Sequence, residues 1–586
     1  MAAEDDQQLQ EIEQKRAAAS DAIVNSDSEK RLIVAGPGTG KTHAFKQALA
    51  KSITDAPSAE KGLALTFIRN LVDELSEALA DVADVFTFHG FCKHQMHRHP
   101  VAGLREGWDY YPALIEVIAA DLELLGRKGI KKDDIEQRLH DIDESDGILG
   151  EALAVGNFYN AVSHTDLVRR VLTHFTENEE AIPSYPLVVV DEYQDFSLLE
   201  TSFLALLATK SNVLIAGDDD QALYDFKNAS SRYIRELYAN EDYENFDLPY
   251  CSRCTTVIVD AVNDVVAAAK ANGNLEGRLD KPFKCYLPGK QTESKDHPKI
   301  IYAQCSVQSK KAPYPGLYIA QVIETIPVEV IRESKEGGYP TVLVIGDKPF
   351  MPAAYEVVKE RFPQAQTKKG VASLMTPLDG YRRLAIDSHS RLGWRIITLC
   401  FEFSERDELV RTAVEADHDL VSELPDEYRD EHLEIAELVR RLLEGEQLTD
   451  DEEQLLSGAV GMKITTIRKS LAIADDEESP QEGHEAADAG EDAPTIQFTS
   501  LVGSKGLSAS YVLIVGFNNG FFPRDPDAIT DDEVCKLLVA LSRTRVECHV
   551  VSCGHFGAGW LEESVFAEWM RPHLEPLTIN KEHFAS

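Results

Sequence analysis

The sequence contains no apolar run of the ~18–20 residues that a membrane-spanning helix requires. Its first ten residues, MAAEDDQQLQ, are acidic and polar and lack the apolar centre of a secretory signal. The nine cysteines follow no regular spacing, which is typical of reduced thiols and not of a disulfide framework. We therefore expect a cytoplasmic protein that has no membrane partner.

Basic residues are scarce relative to acidic ones. The chain has 59 Lys and Arg against 100 Asp and Glu, which gives a formal net charge of -41. This balance excludes a protein whose surface is basic throughout and binds nucleic acid in that way. Any contact with DNA therefore needs a local groove that overrides the acidic exterior. The 586 residues are 43% hydrophobic and 27% charged, which is the ordinary composition of globular proteins. A chain of this length predicts roughly three to five domains.

Short apolar runs recur along the chain, and helical patterns separate them. Continuous runs of this kind predict parallel strands that are buried on both faces. The fold class that follows is α/β, with two parallel sheets. The runs are Arg31 to Gly36, Leu63 to Phe67, Leu187 to Glu192, Asn212 to Gly217, Thr341 to Gly346 and Tyr511 to Gly516.

Two long polar stretches with helical periodicity interrupt the strand groups, and they predict a helical insertion in each sheet domain. Residues 474–493 hold nine acidic residues and no Lys or Arg, which indicates an acidic linker, with a DNA-mimicking autoinhibitory arm as the alternative. The predicted divisions are a first domain at 1–96 and 185–248, its insertion at 97–184, a second domain at 249–369 and 494–586, and its insertion at 370–493.

A phosphate-binding loop is predicted at residues 35–42, which read AGPGTGKT between a strand and a helical stretch. The glycines let backbone N–H groups converge on phosphate oxygens, and the helix N-terminus adds its dipole. Lys41 reaches the outer phosphates, and Thr42 is a candidate Mg²⁺ ligand. The first position is Ala35 where the usual motif has glycine.

A pair of carboxylates follows another strand, in LVVVDEYQD. Asp191 emerges from the apolar run where it can hold the Mg²⁺ shell, and Glu192 can orient and deprotonate an attacking water. On its own the pair could be a surface turn, but the phosphate-binding loop upstream favours catalysis.

The motifs occur in an order that resembles the UvrD/Rep branch of superfamily 1 helicases. Gln14 sits where that family has an adenine-reading glutamine. LALTFIRNLVDEL, FTFHGFC, DEYQDF and GDDDQALYDF resemble successive motifs of the family. CSRC falls at the family's NYRS position, SLVGSKGLS at TLHSAKGLE and LVALSRTR at YVGVTRA.

The resemblance implies two RecA-like P-loop domains with ATP and Mg²⁺ between them, and 3′→5′ movement on single-stranded DNA. The implied catalytic residues are Lys41, Asp191, Glu192, Gln221 as γ-phosphate sensor, and Arg253 and Arg543 as arginine fingers. The implied ATP-binding residues are Gln14, Ala35, Gly36, Pro37, Gly38, Thr39, Gly40, Lys41, Thr42, His43, Arg253, Gly506 and Arg543. The implied DNA-binding residues are Phe67, Thr87, Phe88, His89, Tyr224 and Phe226, and Thr42 and Asp191 are the implied Mg²⁺ ligands.

The residues that would face the base depart from the family pattern. His43, Ser252 and Ser508 replace the usual Arg, Tyr and Glu. Either selectivity for adenine is relaxed, or another aromatic such as Tyr250 provides the stacking surface. Val502 also replaces the motif histidine, which puts the coupling of hydrolysis to movement in question.

The main hypothesis is a helicase or translocase acting on single-stranded DNA or on duplex with a single-stranded tail, in DNA repair or anti-phage defence. The competing hypothesis is a DNA-activated nucleotide switch that gates a separate nuclease subunit, as the resemblance to two-component systems such as Gabija implies. Cys251 and Cys254 form a CxxC without the second pair of a zinc site, and His94, His97, His99 and Cys92 are better explained by a helix surface than by a metal.

Overall fold

A computed structural model describes most of the chain. The described residues are 2–55, 61–66, 69–99, 103–141, 147–223, 230–347, 349–367, 375–403, 405–472, 490, 492–557 and 559–585. The predicted acidic linker at 474–493 lies outside them except for residues 490, 492 and 493. Among the helices of these ranges, none is both long enough and apolar enough to cross a membrane.

Helices alternate with the strands of the two large sheets, and two long stretches of the chain consist mainly of helices. In chain order they are α1 (Ala2–Asn25), α2 (Lys41–Asp55), α3 (Arg69–Leu79), α4 (Phe88–Arg98), α5 (Leu114–Leu124), α6 (Lys132–His140), α7 (Gly147–Tyr159), α8 (His164–Glu177), α9 (Leu198–Leu207), α10 (Ser231–Ala239), α11 (Thr256–Ala271), α12 (Leu287–Asp296), α13 (Tyr314–Thr325), α14 (Val328–Glu336), α15 (Phe350–Arg361), α16 (Pro377–Ile386), α17 (Arg391–Cys400), α18 (Arg406–Ala416), α19 (Leu420–Glu423), α20 (Asp426–Leu443), α21 (Asp450–Val460), α22 (Ile464–Leu471), α23 (Asp531–Leu541) and α24 (Val565–Trp569).

The strands of the described residues form two large sheets, one small four-stranded sheet and two short pairs. They are β1 (Lys30–Val34), β2 (Gly62–Thr66), β3 (Ala83–Thr87), β4 (Asp109–Tyr110), β5 (Ala161–Val162), β6 (Val188–Val190), β7 (Val213–Gly217), β8 (Glu244–Asp247), β9 (Tyr250–Cys251), β10 (Lys284–Cys285), β11 (Ile300–Cys305), β12 (Gln308–Ser309), β13 (Ala312–Pro313), β14 (Val342–Gly346), β15 (Gln366–Thr367), β16 (Ile496–Thr499), β17 (Ala509–Val515), β18 (Thr544–Cys553), β19 (His555–Phe556), β20 (Gly559–Trp560) and β21 (Leu574–Ile579).

The first sheet has the strand order β3-β2-β6-β7-β1-β8, and its strands are parallel. Successive residues of a strand point to opposite faces, and both faces of this sheet are covered. In β1, Leu32 and Val34 belong to one hydrophobic cluster while Ile33 belongs to another. This two-sided burial explains the continuous apolar runs of the sequence.

The second sheet has the order β15-β16-β14-β17-β18-β11-β21 and is also parallel. In β14, Leu343 and Ile345 face the cluster that contains α11 and α23, whereas Val342 and Val344 face the cluster that contains α13 and α15. Two parallel sheets flanked by helices confirm the predicted α/β class.

The two long helical runs pack together. Helices α5 to α7 follow the first sheet's β3, and helices α16 to α22 lie between β15 and β16 of the second sheet. Buried residues of both runs, among them Leu114, Phe158, Trp394 and Val439, belong to one hydrophobic cluster. The sequence predicts two separate insertions, but the structure places their apolar faces around a shared core, which we call the helical unit.

A buried ion pair crosses the helical unit. Nη2 of Arg395 in α17 lies 2.7 Å from Oδ1 of Asp121 in α5, with the two side chains 2% and 1% exposed. The Tyr159 hydroxyl donates to the other carboxylate oxygen at 2.5 Å. Burial raises the pKa of Asp121, and Arg395 and Tyr159 oppose that rise. The pair therefore requires both helical runs to be in place.

We expect Asp121→Ala to weaken the helical unit by ~3–5 kcal/mol, because it leaves a buried guanidinium without a countercharge. The double variant Asp121→Leu/Arg395→Met should regain most of this loss. Hydrogen exchange of amides in α5 and α17 measures the local free energy of unfolding. Glu151→Ala, which removes the partner of the exposed Arg127, is the control and should cost less than ~1 kcal/mol. Equal losses in the single and double variants would contradict the assignment.

Candidate functional site

The predicted phosphate-binding loop connects β1 to α2. The Ala35 amide donates to Gly217 O at 3.1 Å, which ties the start of the loop to β7. Gly38 and Gly40 have φ of +67° and +100°, a conformation that favours glycine. Lys41 begins α2, and its ammonium donates to the carbonyls of Ala35 and Gly36 at 3.2 and 3.3 Å. The loop thus presents a helix N-terminus and an ammonium at one place, which suits a phosphate chain.

The carboxylates Asp191 and Glu192 follow β6, next to this loop. Asp191 is 5% exposed, and its Oδ1 accepts the Glu192 amide at 2.9 Å. Glu192 is half-buried in a left-handed backbone conformation, with φ +55°. Burial opposes its ionisation, but Lys41, Lys505 and Arg543 lower its pKa below the usual value. Glu192 is therefore held as a carboxylate, the form that accepts a proton.

The triplet Asp218–Asp220 follows β7 and is neutralised from the second domain. Nζ of Lys281 lies 2.9, 2.5 and 2.9 Å from carboxylate oxygens of the three in turn. Burial opposes ionisation of Asp218, yet Lys281 and Lys41 hold its pKa at about 2. The three oxygens are close enough to suit a metal ion, but the Lys281 ammonium takes that position. We therefore assign this cluster to an ion-pair network and not to a metal.

Two arginines of the second domain reach the loop from the opposite side. The Cβ of Arg253 lies 2.5 Å from where a Cβ on Gly38 would be, so only glycine fits there. Arg543 is 3% exposed, and its Nη2 donates to Gln221 Oε1 at 2.9 Å. Burial and the charge of Arg253 lower the pKa of Arg543 to about 9. Gln221 also donates to Asp218 at 2.6 Å, so the predicted sensor and finger are hydrogen-bonded.

Lys505 is a further cationic residue at the cleft that the motif analysis missed. Its Nζ lies 2.6 Å from Asp195 Oδ1, with the two side chains 1% and 0% exposed, and it also donates to the carbonyl of Gln221. The pair joins the motif around Asp191 to the segment SKGLS. Lys505 lies inside the motif SLVGSKGLS, and its position there is the sequence feature that could have identified it as a site residue. Gly506, with φ +76°, follows it.

Arg16 lies beside Gly40 of the phosphate-binding loop and Tyr286 lies beside Arg16, and neither residue is among the predicted site residues. Gln14 and His43 are exposed on α1 and α2. The Arg16 guanidinium lies 4.2 Å from the ring centre of Tyr286, and its Nη2 lies 3.9 Å from where a Cβ on Gly40 would be. Tyr250 is only 6% exposed, so Tyr286 is the better-placed aromatic.

The predicted DNA-contacting residues separate into three groups. Thr87 caps α4 by accepting the Gly90 amide at 2.9 Å, and His89 stacks on His164 with 3.9 Å between ring centres. Phe88 is 0% exposed and packs edge-on against Phe196, so its ring is a core element and we withdraw it as a base platform. The remaining three, Phe67, Tyr224 and Phe226, lie outside the described residues.

Comparison with known proteins finds matches to part of the chain. Residues 17–227 match the AAA domain family. The probable DNA helicase II homolog of Mycoplasma capricolum is 23% identical over 352 residues, which cover 52% of this chain and 46% of that protein. DNA helicase II of Haemophilus influenzae is 28% identical over 134 residues, covering 21% and 18%. ATP-dependent DNA helicase UvrD2 of Mycobacterium bovis is 23% identical over 290 residues, covering 41% of each.

The chain thus matches less than half the length of these relatives. The matched region of the AAA domain family contains the phosphate-binding loop, the Asp191–Glu192 pair and Gln221. The arginines and Lys505 that meet them come from the second parallel sheet domain. Together, the matched sequences and this ordered set of motifs make the chain similar to the UvrD/Rep-type superfamily 1 helicases.

Proposed function

We propose that the protein hydrolyses ATP in the cleft between its two sheet domains and uses the cycle to move 3′→5′ along single-stranded DNA. The observation that carries this proposal is the convergence of Glu192 and Gln221 from the first domain with Arg253 and Arg543 from the second around one phosphate-binding loop. A nucleotide at that loop would contact both domains, so that hydrolysis changes the contacts between them. The direction of movement follows from the resemblance to the family.

The proposed chemistry uses residues whose positions suit their roles. Lys41 and the N-terminus of α2 bind the phosphates, and Glu192 takes the proton of the attacking water. Arg543 and Arg253 stabilise the negative charge that spreads over the transferred phosphoryl group. Oxygen ligands are those that Mg²⁺ prefers, and Thr42 and Asp191 would hold it near the phosphates.

DNA is proposed to lie along the end of the first sheet, where Thr87 and His89 follow β3. A backbone amide, the Thr87 hydroxyl and the His89 imidazole at this position suit contacts to phosphates and bases. A role in repair or in two-component anti-phage defence stays a prediction. The competing function, a DNA-activated switch for a nuclease subunit, is favoured by Val502 at the position of the motif histidine, and it is tested by the same hydrolysis experiment.

We expect Glu192→Gln to lower DNA-stimulated ATP hydrolysis by ~10²–10⁴-fold, the usual contribution of a general base. Binding of single-stranded DNA should stay within a few-fold, since Glu192 does not face the proposed strand path. Steady-state hydrolysis with and without single-stranded DNA measures the first effect, and fluorescence anisotropy of labelled DNA measures the second. The exposed Glu241→Gln is the matched control. Hydrolysis that ignores DNA would contradict both functions, whereas DNA-stimulated hydrolysis without movement along the strand would favour the nuclease-gating switch over a motor.

Arg543→Ala should reduce kcat by ~10³-fold or more while nucleotide affinity changes little, because an arginine finger acts mainly on the transition state. Arg545→Ala is the control on the same strand, since the Arg545 guanidinium lies over the Tyr339 ring at 4.0 Å and donates to Ser508. Single-turnover hydrolysis separates the chemical step from binding. A rise in KM with unchanged kcat would remove Arg543 from the proposed role.

We propose that Tyr286 provides the stacking surface for the base, with Arg16 on its other face. Stacking is available to both purines, so the kcat/KM values for ATP and GTP should lie within about tenfold of each other. Tyr286→Ala should raise KM for both nucleotides, and Tyr286→Phe should retain the wild-type values. Strict preference for ATP, or a Tyr286→Ala variant with unchanged KM, would argue against this base site.

A further inference from the structure

The finger residue Arg253 lies between two cysteines, Cys251 and Cys254, in the turn that connects β9 to α11. The Cys254 amide donates to Cys251 Sγ at 3.4 Å, and the two thiols are close enough to shift each other's pKa. Both residues are 0% exposed in the described structure. The pair thus satisfies the main condition for an intramolecular disulfide, which is that the two sulfurs are already neighbours.

Both sulfurs also contact the nucleotide site. Cys251 Sγ lies 3.2 Å from where a Cβ on Gly38 would be, and Ser252 donates to Gly38 O through its amide at 2.9 Å and its hydroxyl at 3.1 Å. The Cys254 thiol donates to the carbonyl of Ser542 at 3.5 Å, directly before Arg543. One dithiol therefore touches the phosphate-binding loop and the backbone beside both arginine fingers.

We propose that Cys251 and Cys254 are a peroxide-sensitive thiol pair, and that the disulfide they form switches off nucleotide hydrolysis. The effect of the disulfide on activity rests on the proposed function, whereas the formation of the disulfide is independent of that function. The oxidant that burial favours is a small peroxide, because a bulky disulfide such as oxidised glutathione would have to displace more of the surrounding structure to reach the sulfurs.

The chemistry balances with a peroxide as the oxidant. The Cys251 thiolate attacks hydrogen peroxide, the O–O bond breaks, and hydroxide leaves as the sulfenic acid forms. The Cys254 sulfur then attacks the Cys251 sulfur, and the S–O bond breaks. The leaving hydroxide takes the proton of the Cys254 thiol. The first hydroxide takes the proton that Cys251 released on ionisation, so two thiols are oxidised to one disulfide and one peroxide is reduced to two waters.

The environment assigns the two roles. Burial opposes ionisation of Cys251, but the Cys254 amide donates a hydrogen bond to its sulfur, and this bond and the charge of Arg253 lower its pKa below the usual value. The pKa of Cys254 is raised instead, by its hydrogen bond to Cys251 and by burial. Cys251 is thus the thiolate that reacts first, and Cys254 is the thiol that resolves the sulfenic acid.

The disulfide would act on the site through geometry. A disulfide bond is ~2.05 Å long, so the two sulfurs must approach more closely than two separate thiols do. The turn that carries Ser252 and Arg253 then tightens, and the Cys254 thiol no longer donates to Ser542. Displacement of an arginine finger removes charge stabilisation of the transition state, because that contact needs close placement.

The test uses the full chain with single-stranded DNA. Hydrogen peroxide should lower the rate of DNA-stimulated ATP hydrolysis by at least about tenfold. This is a small part of the rate enhancement that an arginine finger contributes. Dithiothreitol should restore the rate. Peptide mapping should find a Cys251–Cys254 disulfide in the inhibited protein, and oxidised glutathione at the same concentration should leave both thiols free. Cys254→Ser should keep its activity after peroxide is removed by catalase, because no disulfide can form.

Cys285→Ser is the matched control, because Cys285 is paired with Cys251 across β9 and β10 and its thiol donates to the carbonyl of Cys254. This variant should still be inhibited. A Cys251–Cys285 linkage in the peptide map, or inhibition of wild type without any disulfide, would overturn the proposal. Reduced protein with no DNA-stimulated hydrolysis would instead overturn the proposed function, and peptide mapping would still test the thiol pair. If Cys254→Ser fails to fold, the map of the wild-type protein decides.

Discussion

Three adjacent carboxylates after β7 are buried, and the cost of removing their charge from water must be offset by cations. Most of these cations come from the second domain, where Lys281 lies among all three carboxylates and Arg278 pairs with Asp220 at 2.7 Å, while Arg235 of α10 pairs with Asp219 from the first domain. The first sheet domain therefore cannot bury this turn by itself. Gln221 follows the triplet directly, so the ion pairs that join the domains also set the position of the residue that meets Arg543.

The positions of the phosphate-binding loop and of the carboxylate pair could be predicted from sequence, because each depends on residues that are consecutive in the chain. The loop at 35–42 and the Asp191–Glu192 pair each follow an apolar strand, and strand ends of a parallel sheet meet at one edge. Six apolar runs predicted strands, and all six are strands in the structure. The strands β11, β18 and β21 were not selected, because polar residues interrupt their apolar pattern.

The parts that the sequence did not predict depend on residues that are far apart in the chain. Lys281 has no motif around it, and its importance follows only from three carboxylates about sixty residues earlier. Tyr286 is positioned by the pairing of β9 with β10, after which its amide donates to Cys251 O at 2.8 Å, and so short a pairing leaves no periodic signal. Phe88 shows the opposite error: an aromatic residue inside a motif was taken as a binding surface, although its ring packs against Phe196 and Phe203.

The shared core of the helical unit has a mechanical consequence. The two sheet domains are connected at the cleft, through Lys505 and Asp195, and again through helices inserted into each of them. Two bodies that are attached at two separate points cannot simply move apart, and the remaining freedom is rotation about the line that joins the attachments. Opening of the cleft then requires either shear within the helical core or a hinge about it. The helical unit would set the axis of domain motion, and its packing would determine how far the cleft can open in each cycle.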